Sequence, residues 1–587
     1  MRPRYGVLSM AALVWLAGCL TATSVAPNPA APGDSITIAG TGFGTKTGTD
    51  AVLYDGAEIA TVSWTDTAIV ATVPLGKPNG TYPVQVRKSG ALSATLNHRV
   101  ESTLALTNPV LTPNPYSVLS ATITFDTSLS ATPSVEVNGP SGSWTVPTSG
   151  ILTTSPGFKH KAIILGLKLG DSYTFTLRAT RPSGTVSSSS LAFTAGPLPA
   201  DMPAPPITVL TSNTAEMQPG VTMFADNRGN GPIGVFITST IYGVDAGGNL
   251  VWYYRPTYQG VADVHRLSNG HFTYVAAGKV IEVDMMGNII NAWSGATFGV
   301  TGFHHFADEL PGGNMVSLGS ELRTYGPYSD GNTYPVVGDV IVEWTRTGQL
   351  VRTISLFDIL DPLRVPDWPS FATPFWDDVY NTTGTKDWSH ANAIEYDASD
   401  DTFVVSVNHQ DIIIKIDRTT GQLRWVLGAD LPSTSGDDGW PFLDFVGPGL
   451  LPNHSHELQV LPDGHLALYD NGNTRPPEEK KSRAVEYAID AVHGEASEVW
   501  SWFDPDYTPS LLNVIGGDAD VQPVGTVLVA NSGQWTTYPF GVRWAQYAEV
   551  RKSDNVKVWE MVVQDPAGLE SHTGFNSERL ATLYPSP

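Results

Sequence analysis

The chain has one cysteine, Cys19, so no disulfide can form within it and its stability has to come from packing alone. Positive charge is also scarce: 33 Lys and Arg stand against 57 Asp and Glu, a formal net charge of −24 over 587 residues. Nucleic-acid recognition draws on Lys and Arg to neutralise phosphates, so this balance argues against a DNA or RNA partner. Long apolar runs are missing too. After the N-terminus no segment approaches the roughly 20 apolar residues of a membrane helix. The exception, Val7 to Leu16, is too short for a comfortable span; it follows Arg2 and Arg4 and ends in Leu16-Ala17-Gly18-Cys19. Those are the proportions of an export signal closed by a lipobox, in which Cys19 becomes the lipidated first residue of the mature chain. Residues 1–19 are therefore read as a lipoprotein signal. The protein is expected to be exported, periplasmic or on the cell surface, attached to membrane through its lipid only; Leu20 after the cysteine favours the outer membrane.

A chain of this length exceeds a single core, and 57 Gly and 44 Pro among short β-rich runs point to several all-β domains. Between 24 and 102, runs such as Ser35-Ile36-Thr37-Ile38 and Ile69-Val70-Ala71-Thr72-Val73 alternate with turns, which predicts an immunoglobulin-like β-sandwich. Here Pro32-Gly33-Asp34, followed by Gly40-Thr41-Gly42-Phe43-Gly44, resembles the start of an IPT/TIG domain. A second sandwich, resembling a fibronectin-type module, is expected over 104–196. The proline-rich stretch 197–206 then reads as an extended linker.

From 207 to 587 one unit recurs: a strand, a polar turn, and a strand that usually holds Trp. Its clearest copy is Ile416-Asp417-Arg418-Thr419-Thr420-Gly421-Gln422-Leu423-Arg424-Trp425; others lead to Trp252, Trp293, Trp500 and Trp559, and one departs from Trp344. Six copies, each preceded by further apolar runs, predict a six-bladed β-propeller in which stacked blades bury one another's faces.

A second repeat lies upstream of these turns. His305-Phe306-Ala307-Asp308-Glu309-Leu310-Pro311-Gly312-Gly313 matches His456-Glu457-Leu458-Gln459-Val460-Leu461-Pro462-Asp463-Gly464, and His390-Ala391-Asn392-Ala393-Ile394 shares the opening. Equivalent positions of different blades are related by rotation about one axis. If each His opens an innermost strand, the three imidazoles meet at one mouth of the central channel. Converging histidines suit two chemistries: metal ligation, or a nucleophile with hydrogen-bond donors around an anion.

The ordered motifs Asp387-Trp388-Ser389-His390-Ala391-Asn392, Asn408-His409-Gln410-Asp411, His454-Ser455-His456, Tyr469-Asp470-Asn471-Gly472 and Ser482-Arg483-Ala484-Val485-Glu486-Tyr487 resemble the bacterial arylsulfotransferase (ASST) family. The resemblance implies transfer of a sulfuryl group from a phenolic sulfate ester to a phenolic acceptor through a sulfohistidine, with no nucleotide donor and no cofactor. It implies His456 as nucleophile, His390 as a contact to the sulfuryl oxygens beside Asn392, and His305 as the third catalytic ring, with His304 adjacent. The chain departs from the family pattern at Asn408, where an Arg usually precedes His-Gln; Arg483 or Arg475 is the expected substitute cation. His409 and His454 are weaker candidates, since neighbouring strand positions face opposite ways. Trp376, in the aromatic stretch 366–380, is expected to roof the channel with Trp440, Phe442 and Phe445 and to stack on a phenyl ring. No metal site is assigned, and a homodimer is left open. Two other readings remain: a metal-dependent propeller hydrolase or oxidase using the same histidines, and an inactive surface binding or adhesion protein.

Overall fold

Strands dominate the computed structural model, which describes residues 20–152, 157–230, 236–432, 436–536 and 541–585; residues 1–19, over which a lipoprotein signal is expected, lie outside the described residues. The described residues form two compact units. No helix among them is long and apolar enough to cross a membrane.

The first unit holds two sandwiches, built from strands that bury one face. Alternate residues are buried along Ser35–Thr41 and Phe158–Ile164, the period-2 pattern of a sheet with a core on one side only. In the N-terminal sandwich two sheets close on Ile36, Ile38, Val52, Tyr54, Ile69 and Val84. The other sandwich runs from Leu106–Pro113 to Leu191–Thr194, again as two sheets.

The second unit is a ring of six sheets, the all-β propeller architecture that the Trp-bearing repeat predicts. Its strands bury both faces, as Thr402–Val407 does throughout, because each sheet is covered on both sides by its neighbours. Adjacent residues of one strand serve different interfaces. Val405 and Ile414 pack with Val316, Leu318 and Ile341 of the preceding sheet, whereas Val404 and Ile413 pack with Leu466, Leu468 and Val485 of the next. Ile413→Ala is therefore expected to open a cavity between two blades and to cost about 3 kcal/mol in denaturant unfolding. Val492→Ala, at a site 91 % exposed, should cost under about 0.5 kcal/mol.

The repeated polar turns are the hairpins joining the third and fourth strands of each sheet, counted from the axis. Asp284 shows what the aspartate does there: its Oδ1 accepts the backbone N–H of Met286 and of Asn288, both at 2.9 Å. Gly287 follows with φ of 89°, and the sixth turn, lacking glycine, uses Asn555 at 61°.

Six innermost strands line the axis: β1 (Ala262–Arg266), β2 (Phe303–Glu309), β3 (Ala391–Asp397), β4 (His456–Val460), β5 (Asp518–Val521) and β6 (Ser577–Leu580). They follow one another round the ring, and β6 meets β5 through Ser577 N–H donating to Asp518 Oδ2 at 3.0 Å. Closure uses both ends of the unit. Ile207–Ser212 adds the outermost strand to the last sheet by pairing with Val556–Val563, while Glu570–Thr573 and β6 pair with Val221–Asn230 of the first.

Candidate active site

The histidines sit where the innermost strands are irregular. The register slips between His304 and Ala307 on β2, between Ala391 and Ala393 on β3, and between His456 and Leu458 on β4. Each slip is a bulge, which inserts two residues on β2 and one each on β3 and β4 and re-aims the side chains around it. Left-handed backbone accompanies them at His305 (φ 60°), His390 (44°), His454 (49°) and Glu457 (36°). Non-glycine residues hold that conformation at a cost of order 1–3 kcal/mol, and it recurs at functional sites.

Six rings come together. His305 lies 4.8 Å from His390 and 6.4 Å from His456 between ring centroids. His409 stacks on His390 at 4.5 Å, and His454 lies 5.8 Å from His409. His304 Nδ1 is 2.8 Å from His305 Nδ1, and His304 Nε2 is 3.0 Å from Asp339. The structure thus places His304 and His305 in one cluster. His409 and His454 join it because a 3₁₀ turn over Asn408–Gln410 and the left-handed His454 interrupt the alternation on which their weaker standing rests.

Neighbours fix the state of each ring. The Asn471 amide donates to the carbonyls of Asn513 (2.7 Å) and Gly516 (2.9 Å), so its Oδ1 faces His456 Nδ1 as an acceptor at 2.9 Å. His456 therefore carries its proton on Nδ1 and keeps the lone pair on Nε2. Burial pushes its pKa down to about 3, against the Asn471 hydrogen bond that pulls it up, so the ring is neutral. Burial, reinforced by the neighbouring rings, also keeps His305 well below the usual histidine range, and His409 at about 4. His390 goes the other way. Its Nδ1 is 2.7 Å from Asp387 Oδ2, and that carboxylate outweighs burial and raises the imidazole. Asp387 is held at about 2 in spite of burial, by His390 and by Trp376 Nε1 at 2.9 Å. A ring raised by its carboxylate beside rings lowered by burial divides the cluster into an acid, His390, and a nucleophile, His456.

Several candidates take other places. Asn392 and Asn408 both donate to the backbone carbonyl of Ser455, at 2.9 and 3.1 Å, and so anchor the residue before His456. Arg483 is committed to Asp470 (2.8 Å) and Glu498 (2.6 Å), and Arg475 to Asp470 (2.6 Å); neither guanidinium is brought to the rings. Trp376 is buried 5.4 Å from His304 as part of the wall, while exposed Phe375 covers His390 at 5.6 Å. Trp440 and Phe442 pack on a core cluster and Phe445 on another.

A cleft of about 350 Å³ opens beside the rings, lined by His304, His305, Phe375, Phe575 and Arg543 among others, a size and apolar character that suit a small aromatic ligand. Phe575 touches both His305 (5.6 Å) and His456 (5.7 Å). Arg543 lies over the Trp535 ring at 4.4 Å and has no carboxylate partner among the described residues. Sequence reasoning missed Phe575, Arg543, Asp387 and Asn471 as functional residues. The last two stand inside motifs already singled out, whereas Phe575 and Arg543 carry no local signal.

Asp387, His390 and His409 offer ligand atoms within 4.8 Å of one another. Yet Asp387 already takes the proton of His390 Nδ1, and the two rings are stacked at 18°, so their in-plane lone pairs run side by side instead of meeting on an ion.

The arylsulfotransferase (ASST) family model matches residues 208–573, and the IPT/TIG domain matches residues 20–100. An arylsulfate sulfotransferase, AssT, of Escherichia coli O6:H1 (strain CFT073) is 28% identical over 312 residues, covering 44% of this chain and 50% of that protein. The AssT of Lelliottia amnigena is 25% identical over 296 residues, covering 41% and 46%. The chain thus spans about half the length of these curated relatives. Since the family match takes in more than half of the chain and includes every strand that carries a ring of the cluster, the protein belongs to the arylsulfotransferase family.

Proposed function

We propose that this protein transfers a sulfuryl group from a phenolic sulfate ester to a phenolic acceptor through a sulfohistidine at His456. The observation that carries the reading is the fixed tautomer of His456: a neutral, buried imidazole whose Nε2 lone pair is available at any pH near neutrality. In the first half-reaction Nε2 attacks sulfur, the N–S bond forms, the S–O(aryl) bond breaks, and the electron pair leaves on the phenolate oxygen. His390, protonated through Asp387, hands that oxygen its proton. In the second, the acceptor phenol oxygen attacks sulfur, the N–S bond breaks, and His390 takes the acceptor's proton. Charge grows on the leaving oxygen and the sulfuryl oxygens, so positioning and electrostatics do most of the work. His305 and His304 border the same space as donors, and the aryl group fits the cleft against Phe575 and Phe375.

Arg543 supplies the cleft with the positive charge that Asn408 does not. Arg543→Ala is expected to raise KM for an anionic aryl sulfate at least about tenfold with a smaller change in kcat, the pattern of lost ground-state binding; Arg543→Lys should recover part of it. Initial rates with each variant over a range of donor concentrations check this.

The reading is tested by incubating the protein with a chromogenic aryl sulfate, with and without a phenol. Phenolate release that depends on the acceptor, and parallel double-reciprocal lines, are expected for two half-reactions that share one enzyme-bound group. Release without acceptor, to inorganic sulfate, would make it a sulfatase, and no release with any aryl sulfate would favour the binding-protein reading. Export and attachment through a lipid on Cys19 belong to the same proposal, and labelling of cells with a radioactive fatty acid, lost in Cys19→Ala, tests them.

A further inference from the structure

Further along the same innermost strands lies a second set of titratable side chains that sulfuryl transfer does not use. Asp263 and His265 stand on β1, Asp308 on β2, Glu395 on β3, Glu457 on β4, Asp520 on β5 and Glu578 on β6, so every strand of the inner ring contributes. Among the described residues none of these carboxylates is paired with a Lys or Arg. Three of the side chains converge: ligand atoms of Asp263, His265 and Glu457 lie within 4.8 Å of one another.

Two observations point to a missing partner. His265 Nε2 is 2.8 Å from Asp263 Oδ1 without the alignment of a hydrogen bond, a separation that two ligand atoms of one ion adopt. Glu457 is only 6 % exposed and its Oε1 has no hydrogen-bond partner among the described residues. A buried carboxylate oxygen left unsatisfied is costly unless something positive completes it. The Asp263 carboxylate is held by its surroundings, since Oδ1 accepts from Asn576 Nδ2 at 3.0 Å and Oδ2 from Ala307 N–H at 2.7 Å. Second-sphere contacts of this kind orient a metal ligand. An imidazole with two carboxylates selects Zn²⁺ or Mn²⁺ over Ca²⁺ and Mg²⁺, which prefer oxygen alone.

We propose that Asp263, His265 and Glu457 bind a divalent transition-metal ion of the Zn²⁺ or Mn²⁺ type in the propeller channel. The ion ties the second blade to the fifth across the axis, one residue beyond the ring proposed to carry the sulfuryl group. The site stands apart from the transfer chemistry, and its test does not use activity.

Full-length protein stripped with a chelator is titrated with ZnCl₂ and, separately, with MnCl₂, and the bound metal is counted. One equivalent per chain is expected, together with a higher thermal midpoint, as for any ligand that binds the folded state. CoCl₂ in its place should give the visible absorption of a nitrogen- and oxygen-ligated ion. Glu457→Gln is expected to weaken binding at least about tenfold and to abolish the rise in midpoint, whereas Asp387→Asn leaves both unchanged. If Glu457→Gln does not fold, His265→Gln answers the same question, and the wild-type Co²⁺ spectrum stands without either. Absence of saturable binding of both metals to the wild-type chain overturns the proposal. So does binding that survives Glu457→Gln intact or disappears in Asp387→Asn.

Discussion

His456→Ala should lose sulfuryl transfer almost completely, with kcat reduced on the order of 10⁴-fold, equivalent to about 5.5 kcal/mol of transition-state stabilisation. The loss is that large because no neighbouring ring can stand in. The Nδ1 of His390 is taken by Asp387, which also raises that ring towards its protonated, non-nucleophilic form, while His305 shares a hydrogen bond with His304 and approaches His456 only to 6.4 Å. Truncation also leaves Asn471 Oδ1 without its partner, so folding has to be checked by circular dichroism alongside the rate. The decisive readout is covalent. Wild-type protein quenched during turnover of a ³⁵S-labelled donor should carry label on a peptide containing His456, stable in base and released by acid, and His456→Ala should carry none. Label on another residue, or a variant within tenfold of wild type, would remove His456 from the mechanism.

The second large effect is on the pH profile. His390 is raised above the ordinary histidine value by Asp387, so its protonated, donating form is present at low pH and lost as pH rises through the raised folded-state value. His456, at about 3, is neutral over the whole of that range. The alkaline limb of kcat therefore reports His390. Asp387→Asn removes the charge that opposes burial, so the pKa of His390 should fall and the alkaline limb move to lower pH, with activity at pH 8 down by 10²-fold or so, the usual worth of a general acid. The same pair bears on stability. The Asp387 contribution is present above the unfolded carboxylate value, about 3.9, and fades as pH falls towards about 2. That of His390 is present below the unfolded histidine value, about 6.5, and fades as pH rises. The two overlap between those values, and there Asp387→Asn should lower the midpoint of denaturant unfolding most. An unmoved alkaline limb would assign the acid to another group.

Much of this arrangement was legible in the sequence, for an identifiable reason. A propeller repeats its turn chemistry, so Asp284, Asp417 and Asp490 each mark the same hairpin of a different sheet, and residues at a constant offset from such turns share a distance from the axis. His305 and His456 were readable because each stands eight residues before the glycine of a Leu-Pro hairpin turn, and His390 because it shares the spacing of the apolar residues that follow. The reading failed where the backbone leaves the period of two: the left-handed turn at His454 and the 3₁₀ turn at Asn408 bring His454 and His409 into the cluster, and no residue type announces either. Long-range partners were equally silent. Arg483 looked like a spare cation until Asp470 and Glu498 were found around it, and Arg543 reaches the cleft from the middle strand of the last sheet.

Closing the ring with strands from both ends of the unit sets the order in which the catalytic centre can come into being. Phe575, which touches two of the rings, lies between Glu570–Thr573 and Ser577–Leu580, C-terminal to every strand that carries a histidine of the cluster. A nascent chain still short of them has its histidines but no wall opposite His456, and its first sheet lacks an inner edge. The wall opposite His456 is thus completed only when Ser577–Leu580 joins the first sheet, and an insertion that obstructs this strand should remove the proposed sulfuryl transfer while leaving most of the blades folded.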